Sequence, residues 1–302
     1  MISLTCNKDE IVKYIGSVYR PPSEAYSLII QATLGCNHNK CTFCGSYRDK
    51  KFSIRSLKEI EEDLREAAHA MGAVQRVFLA DGDALCIPQR RLVEILQAVN
   101  RTFPNLERIG IYANGKNILR KSVEDLQILR SHKLEIIYMG VETGDADLLE
   151  KICKGSTYDR LVQAGRRVKD AGITLSVTVL LGIGGVEGSS KHARETARIL
   201  TDIDPHYVGA LSVIVVPGTP LHDEYLRGAF RLPDPFGLIA ELRTMIAESS
   251  FTNCVFRSNH ASNYLPVRAT LPRDKEKIVA SIDQVLGAKD ARTLRPEFLR
   301  AL

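Results

Sequence analysis

Six short apolar runs alternate with amphipathic stretches, and this alternation limits the possible folds more than any other feature of the 302 residues. Ser27–Thr33, Gln75–Ala80, Arg108–Tyr112, Leu134–Gly140, Ile173–Leu181 and Tyr207–Val215 are rich in aliphatic, aromatic and β-branched residues, as strands are. The stretches between them carry apolar residues at helical spacing. In the first, Ser56 stands at the cap position and Leu57, Ile60, Leu64 and Ala67 share a face, up to about Met71. Gln89–Asn100, Ser122–Arg130, Tyr158–Ala171 and Ser189–Thr201 repeat the pattern. Strands separated by helices form a parallel sheet covered by those helices, so the expected class is α/β. In such folds the chemistry sits at the carboxyl ends of the strands, in a barrel mouth or at a switch point.

The unusual residues of this sequence fall at those ends. Cys36, Cys41 and Cys44 occupy one loop after the first strand, in the spacing Cys-x4-Cys-x2-Cys. Asp81-Gly82-Asp83 follows the second strand, Asn114 the third, Glu142 the fourth, Gly182–Gly185 the fifth and Pro217-Gly218-Thr219 the sixth. Thiolates suit iron–sulfur clusters and zinc. A structural zinc site wants four protein ligands, usually from two paired clusters, and no second Cys-x2-Cys occurs. Cys6, Cys86, Cys153 and Cys254 stand alone. Three thiolates and one open metal position therefore fit a cubane cluster better than zinc. His38 reads as a loop hydrogen bonder beside the thiols.

Composition leaves the partner open. A hydrophobic content of 44% and a charged content of 25% are ordinary for a globular protein. The net charge of +5 is scattered: Arg90-Arg91 and Arg166-Arg167 are isolated pairs, and no basic tract appears. The opening residues lack a signal-peptide hydrophobic region, and no run is long enough to cross a membrane, so the expectation is a cytoplasmic protein with reduced thiols and no membrane partner. Residues 1–25 form a polar lead-in, and residues 221–302 an extension with a helix near Phe236–Ser249, a strand Cys254–Phe256, a polar turn and a helix near Asp274–Leu286. That turn gathers Arg257, Asn259, His260, Asn263 and Tyr264, a solvated loop or a lid over a substrate.

Together these motifs resemble the radical S-adenosylmethionine superfamily. The cysteine loop resembles its cluster motif, usually Cys-x3-Cys-x2-Cys, with one extra residue in the first gap. Asp81-Gly82-Asp83-Ala84 resembles the Gly-Gly-Glu-Pro turn, Gly140-Val141-Glu142-Thr143-Gly144 the Gly-x-Glu-Ser-Gly turn, and Leu180–Gly185 the glycine turn after strand five. Pro217-Gly218-Thr219-Pro220 resembles a turn of the branch that holds oxygen-independent coproporphyrinogen oxidases, the Elongator catalytic subunit and methylthiotransferases.

The resemblance implies a partial (β/α)6 TIM-like barrel over residues 26–220 with the C-terminal extension packed on it. It implies a [4Fe-4S] cluster on Cys36, Cys41 and Cys44. It also implies S-adenosylmethionine held by Asp83 at the amine, Glu142 at the ribose, Gly182, Gly184 and Gly185 at adenine, and Phe43 as a cover. The implied activity is reductive cleavage of S-adenosylmethionine to a 5′-deoxyadenosyl radical that takes hydrogen from a substrate, with an electron donor such as flavodoxin or ferredoxin. A small-molecule substrate fits better than RNA, because no basic or aromatic-interleaved patch is present. His260 and Tyr264 are the candidate substrate-side residues. The other readings are a non-catalytic cofactor- or haem-handling protein on the same scaffold, and an RNA-modifying radical enzyme.

Overall fold

The computed structural model describes residues 12–301; Cys6 and the lead-in before Val12 lie outside the described residues. The chain divides into two compact units. One takes in residues through Asn39, Ser46–Tyr138 and Asp170–Ile173, and the other Lys40–Gly45, Met139–Lys169 and the chain from Thr174 onward.

The first unit holds β1 (Leu28–Gln31), β2 (Thr33–Leu34), β3 (Ser53–Ile54), α1 (Leu57–Ala70), β4 (Arg76–Ala80), α2 (Gln89–Thr102), β5 (Arg108–Ala113), α3 (Gly115–Ile118), α4 (Val123–Ser131) and most of β6 (Leu134–Glu142). β1 runs parallel to β4, with Leu28 opposite Val77, and β4 parallel to β5, with Val77 opposite Ile109. All four residues of β1 are buried, as a strand covered on both faces requires. The helices start where the side chains dictate. Ser56 with Glu59, and Ser122 with Asp125, form reciprocal capping boxes that satisfy the first exposed N–H groups.

The lead-in is more than a polar approach. The Tyr14 hydroxyl donates to the Ile29 carbonyl at 3.1 Å, and Ile15 N–H donates to Gln31 Oε1 at 2.8 Å. Glu24 is fully buried, and its carboxylate accepts from the Ser27 and Tyr138 hydroxyls and, at 2.8 Å, from Arg108 Nη2. A three-residue helical turn, Pro22–Glu24, sets it there.

The second unit holds α5 (Ala146–Lys151), α6 (Tyr158–Asp170), β7 (Thr174–Leu181), α7 (Gly185–Ile203), β8 (Tyr207–Ser212), α8 (Pro220–Leu226), α9 (Pro235–Glu248), β9 (Cys254–Arg257), β10 (Arg268–Leu271) and α10 (Lys275–Ala288). β7 pairs parallel with β8, β8 parallel with β9, and β10 antiparallel with β9. Hydrogen bonding joins the strands of the main sheet in the order β1-β4-β5-β6-β7-β8-β9-β10. The extension therefore adds two strands to the six expected ones. β10 escaped the sequence reading because Arg268–Leu271 is only a four-residue run in a polar stretch.

Two boundaries differ from expectation by three residues or more. α7 begins at Gly185, four residues before Ser189, because Gly185 N–H already closes a turn on the Gly182 carbonyl at 3.0 Å. β8 stops at Ser212, short of Val215, where its pairing with β7 ends opposite Leu181.

Removing the carboxylate of Glu24 leaves Arg108 and two hydroxyls without their shared acceptor. Glu24→Ala is expected to lower unfolding free energy by about 3 kcal/mol, read from denaturant midpoints at an unchanged slope.

Candidate functional site

In the first unit the cysteine loop begins where β2 ends, and the turn after β4 grips its base. Gly35 N–H donates to Asp81 Oδ2 at 2.9 Å, and Lys50 Nζ meets the same oxygen at 3.0 Å. Gly82 N–H donates in turn to the Gly35 carbonyl at 3.2 Å. Asp81 is fully buried, and the Gln31 amide also reaches its carboxylate, at 3.3 Å. At Gly82 a Cβ would stand 2.9 Å from Cys36 Cβ and 2.7 Å from the Tyr47 ring, so only glycine lets the turn lie against Cys36. Within the expected Asp81-Gly82-Asp83 turn the motif points to Asp83, and the part played by Asp81 emerges from tertiary contact. The available signal was that an acid flanks Gly82 on each side.

Asp83 is also fully buried. Its Oδ1 accepts from Asn114 N–H at 3.0 Å and its Oδ2 from Asn117 Nδ2 at 2.5 Å, joining the end of β4 to the start of α3. Cys86 follows in a short helical turn. Burial, and then the Asp83 charge, push its thiol up to about 12, so it stays protonated at neutral pH.

In the second unit the peptide around Cys41 and Cys44 is tied at Thr42, whose N–H donates to the Ile152 carbonyl at 3.0 Å. The Thr42 carbonyl accepts from Leu221 N–H at 3.1 Å, and Cys44 N–H closes a turn on the Cys41 carbonyl at 3.3 Å. Phe43 packs against an apolar cluster that includes Leu148, Ile152, Leu180 and Leu221. All three loop cysteines are half-buried, Cys36 in the first unit and Cys41 and Cys44 in the second. Among the described residues no three His, Cys, Asp or Glu side chains are gathered as a metal site.

Glu142 ends β6 with φ of 67°, a left-handed conformation that few non-glycine residues adopt. Its carboxylate pairs with Lys154 Nζ at 2.7 Å, and both side chains are about nine-tenths buried. Gly140 makes the room, since a Cβ there would lie 2.2 Å from Glu142 Oε1. Lys154 was not legible as a site residue, because nothing short-range links it to an acid twelve positions earlier. The glycines after β7 face protein on the side where a Cβ would project: Gly182 towards Leu238, Gly184 towards His192 and Gly185 towards Phe230.

A buried polar chain connects these two turns. Thr143 Oγ1 lies 2.8 Å from His192 Nδ1, and His192 Nε2 lies 2.9 Å from the Leu180 carbonyl. A carbonyl can only accept, so Nε2 carries the proton and the Thr143 hydroxyl donates to Nδ1. Glu241, on α9, accepts from Gly182 N–H and from the Ser189 hydroxyl, each at 2.6 Å. Its Oε2 stands 3.8 Å from His192 Nε2. Burial pushes the Glu241 carboxyl up to about 7 and holds His192 down at about 4.

The expected polar turn of the extension is bound into the second unit. Asn263 Nδ2 donates to the Ala210 and Ser258 carbonyls, and its Oδ1 accepts from the Ser212 hydroxyl at 2.8 Å. His260 is half-buried, with Nδ1 at 2.9 Å from the Ser262 hydroxyl. The Tyr264 hydroxyl donates to Glu297, and the Arg300 guanidinium lies 4.2 Å from the Tyr264 ring centre.

The sequence pattern of the Radical SAM superfamily matches residues 30–199. The haem chaperone HemW of Bacillus subtilis is 23% identical over 207 residues, covering 66% of this chain and 53% of that protein. The 4′-phospho-dehydrooxetanocin synthase of Priestia megaterium is 24% identical over 175 residues, 51% of this chain and 23% of the relative. The chain thus spans about half or less of the length of these two relatives. Among solved structures, coproporphyrinogen III oxidase (HemN) of Escherichia coli superposes with a TM-score of 0.56 at 14% identity, covering 72% of this chain and 50% of that one. Methylornithine synthase (PylB) gives 0.52 at 23%, covering 74% and 63%. These likenesses show the fold, an α/β partial barrel with a mostly parallel sheet. No helix among the described residues is long and apolar enough to cross a membrane.

The buried Glu241 gives a pH signature. Its folded value, about 7, lies above the ordinary 4.5, so the folded chain binds the proton more tightly than the unfolded one. Stability therefore falls as pH rises from 4.5 to 7, by an amount of the order of 3 kcal/mol. Glu241→Gln is expected to remove that fall, so the wild type should lose ground to the variant across this window in denaturant titrations. His192 acts oppositely, contributing stability above 6.5 that is lost towards 4, but it is common to both proteins.

Proposed function

The chain belongs to the Radical SAM superfamily, whose cofactors are a [4Fe-4S] cluster and S-adenosylmethionine, and on that premise we propose that it is an enzyme of radical chemistry acting on a small molecule. The observation that carries the reading is the superfamily match across the whole loop Cys36-x4-Cys41-x2-Cys44. Three half-buried thiols on one loop match, in number and softness, a cluster that takes three protein ligands. When bound, the cluster supplies one electron that cleaves S-adenosylmethionine to methionine and a 5′-deoxyadenosyl radical, which takes a hydrogen atom from the substrate.

In this reading the chain's own residues bind, aim and exclude water. Cys36, Cys41 and Cys44 hold the cluster as thiolates. Asp81 and Lys50 fix the base of the loop. Asp83 faces the methionyl amine while Asn114 and Asn117 hold its carboxylate in place. Glu142 accepts from the ribose hydroxyls, its carboxylate held in place by Lys154. Gly182, Gly184 and Gly185 border adenine, and Phe43 covers it. Residues 26–220 form the radical-generating core and 221–302 the extension, where His260 and Tyr264 face substrate. A small electron-donor protein such as flavodoxin or ferredoxin reduces the cluster, in the cytoplasm.

The similarity to HemW favours a second reading, a haem-handling protein without turnover. The two differ in one assay. Anaerobically reconstituted protein with dithionite and S-adenosylmethionine is expected to release 5′-deoxyadenosine and methionine; stoichiometric haem binding with no 5′-deoxyadenosine would favour the second reading.

Alanine at Cys36, Cys41 or Cys44 is expected to abolish the cluster. Cys86→Ala, Cys153→Ala and Cys254→Ala should each keep about four iron atoms per chain. Near-full iron in Cys41→Ala would overturn the ligand set. Glu142→Gln should keep the iron–sulfur spectrum and weaken S-adenosylmethionine binding by about 1–3 kcal/mol, measured by calorimetry.

A further inference from the structure

The turn after β6 and the turn after β7 are joined through groups that the chemistry above does not use. Thr143, next to Glu142, is fully buried, as are His192 and Thr196, and Glu241 is 2% exposed. Thr143 Oγ1 takes the N–H of Asp145 at 3.0 Å while its hydroxyl proton goes to His192 Nδ1. Thr196 Oγ1 takes the N–H of Gly144 at 3.1 Å. The two backbone N–H groups that follow Glu142 and Thr143 are thus bound to hydroxyls that both reach one imidazole, Thr143 at 2.8 Å and Thr196 at 3.3 Å. The other nitrogen of that imidazole holds the Leu180 carbonyl, two residues before Gly182. Glu241 holds Gly182 itself by its N–H.

An isolated buried carboxylate is costly, and a leucine at Glu241 would pack among Leu238, Leu242 and Met245 on the same helix. The acid is instead spent on a backbone N–H that no carbonyl of the turn satisfies. Gly182 has φ of +84°, and its Cβ direction is closed by Leu238 and Leu232 at 2.6 and 3.0 Å. The turn therefore takes its shape from α9, an element of the extension, as well as from β7.

We infer that His192 and Glu241 are positioning residues that lock the Glu142 turn to the Gly182 turn, and that this lock sets the affinity of the site for S-adenosylmethionine. The inference rests on the proposed roles of Glu142 and the glycine turn. Glu241 acts through the accepted hydrogen bonds and not through its charge: the ionisable group facing it is His192 from α7, which is neutral in this tautomer. From α10, Asp283 pairs instead with Arg243 on the exposed side of α9.

The amide of Glu241→Gln can still accept from Gly182 N–H and can donate to Ser189 Oγ. Glu241→Leu can do neither. With reconstituted protein titrated by S-adenosylmethionine in a calorimeter, Glu241→Leu is expected to bind about tenfold more weakly, with full iron content and an unchanged cluster spectrum. Glu241→Gln should stay within about twofold of wild type at every pH between 6 and 8. Met245→Ala, a core deletion one turn along α9, serves as the control for general destabilisation and should bind as wild type does. Wild-type affinity in folded Glu241→Leu, or a loss in Glu241→Gln as large as in Glu241→Leu, would overturn the inference. If Glu241→Leu fails to fold, Ser189→Ala and Thr143→Val each remove one bond of the lock, and unchanged affinity in both would overturn it equally. A wild-type protein that takes no S-adenosylmethionine would instead refute the reading on which the inference stands.

Discussion

The base of the cysteine loop hangs on one buried carboxylate. Asp81 has no exposure to water and, with the Gln31 amide 3.3 Å away, its carboxylate is met inside the protein chiefly by Lys50 and the Gly35 N–H. Both partners lie near the ends of the loop: Gly35 immediately precedes Cys36, and Lys50 follows Cys44 by six residues. A single charge thus fixes entry and exit together. Of the fourteen residues between them, Thr42 is tied separately, by its N–H to the Ile152 carbonyl and by its carbonyl to the Leu221 N–H.

The same economy recurs at the other strand ends. Each of these buried acids is met by donors brought from elsewhere in its own unit: Asp83 by Asn114 and Asn117, Glu142 by Lys154, and Glu241 on α9 by Gly182 and Ser189. These pairings make the turns rigid, because moving one would strand a charge or a hydroxyl out of water. A carboxylate has more lone pairs than these protein donors use, so it can hold its place in the fold and still accept from a ligand.

Much of this was legible in the sequence, and the reasons are local. The capping boxes at Ser56 and Ser122 and the strand runs before Asp81 and Glu142 rest on neighbours three or four residues apart, which pattern reveals. The spacing of Cys36, Cys41 and Cys44 is local as well. What pattern could not reach were partners set by tertiary contact. Lys154 and Asn117 are ordinary surface-type residues until a strand end delivers an acid beside them. Glu241 sits in a helix that reads as a plain amphipathic segment, fifty-nine residues from the glycine it holds. β10 is a four-residue strand supported by its pairing with β9 more than by its own propensity, whereas β9 was legible as Cys254–Phe256.

Glu142 brings these threads to one position. A positive φ at a non-glycine residue is unfavourable by an amount of the order of 1 kcal/mol, and a fold tolerates it when the surroundings over-determine the backbone. Here they do. Gly140 gives space for the side chain, Lys154 holds the carboxylate, and the N–H groups of Gly144 and Asp145 are claimed by Thr196 and Thr143. A helix cap would need none of this, since Asp or Asn at ordinary angles accepts the same bonds. Asp145, three residues on, already caps α5 from an extended conformation. The turn therefore has a separate cap and a separate, strained, charge-paired acid. Capping and charge pairing are thus carried by different acids within the one turn.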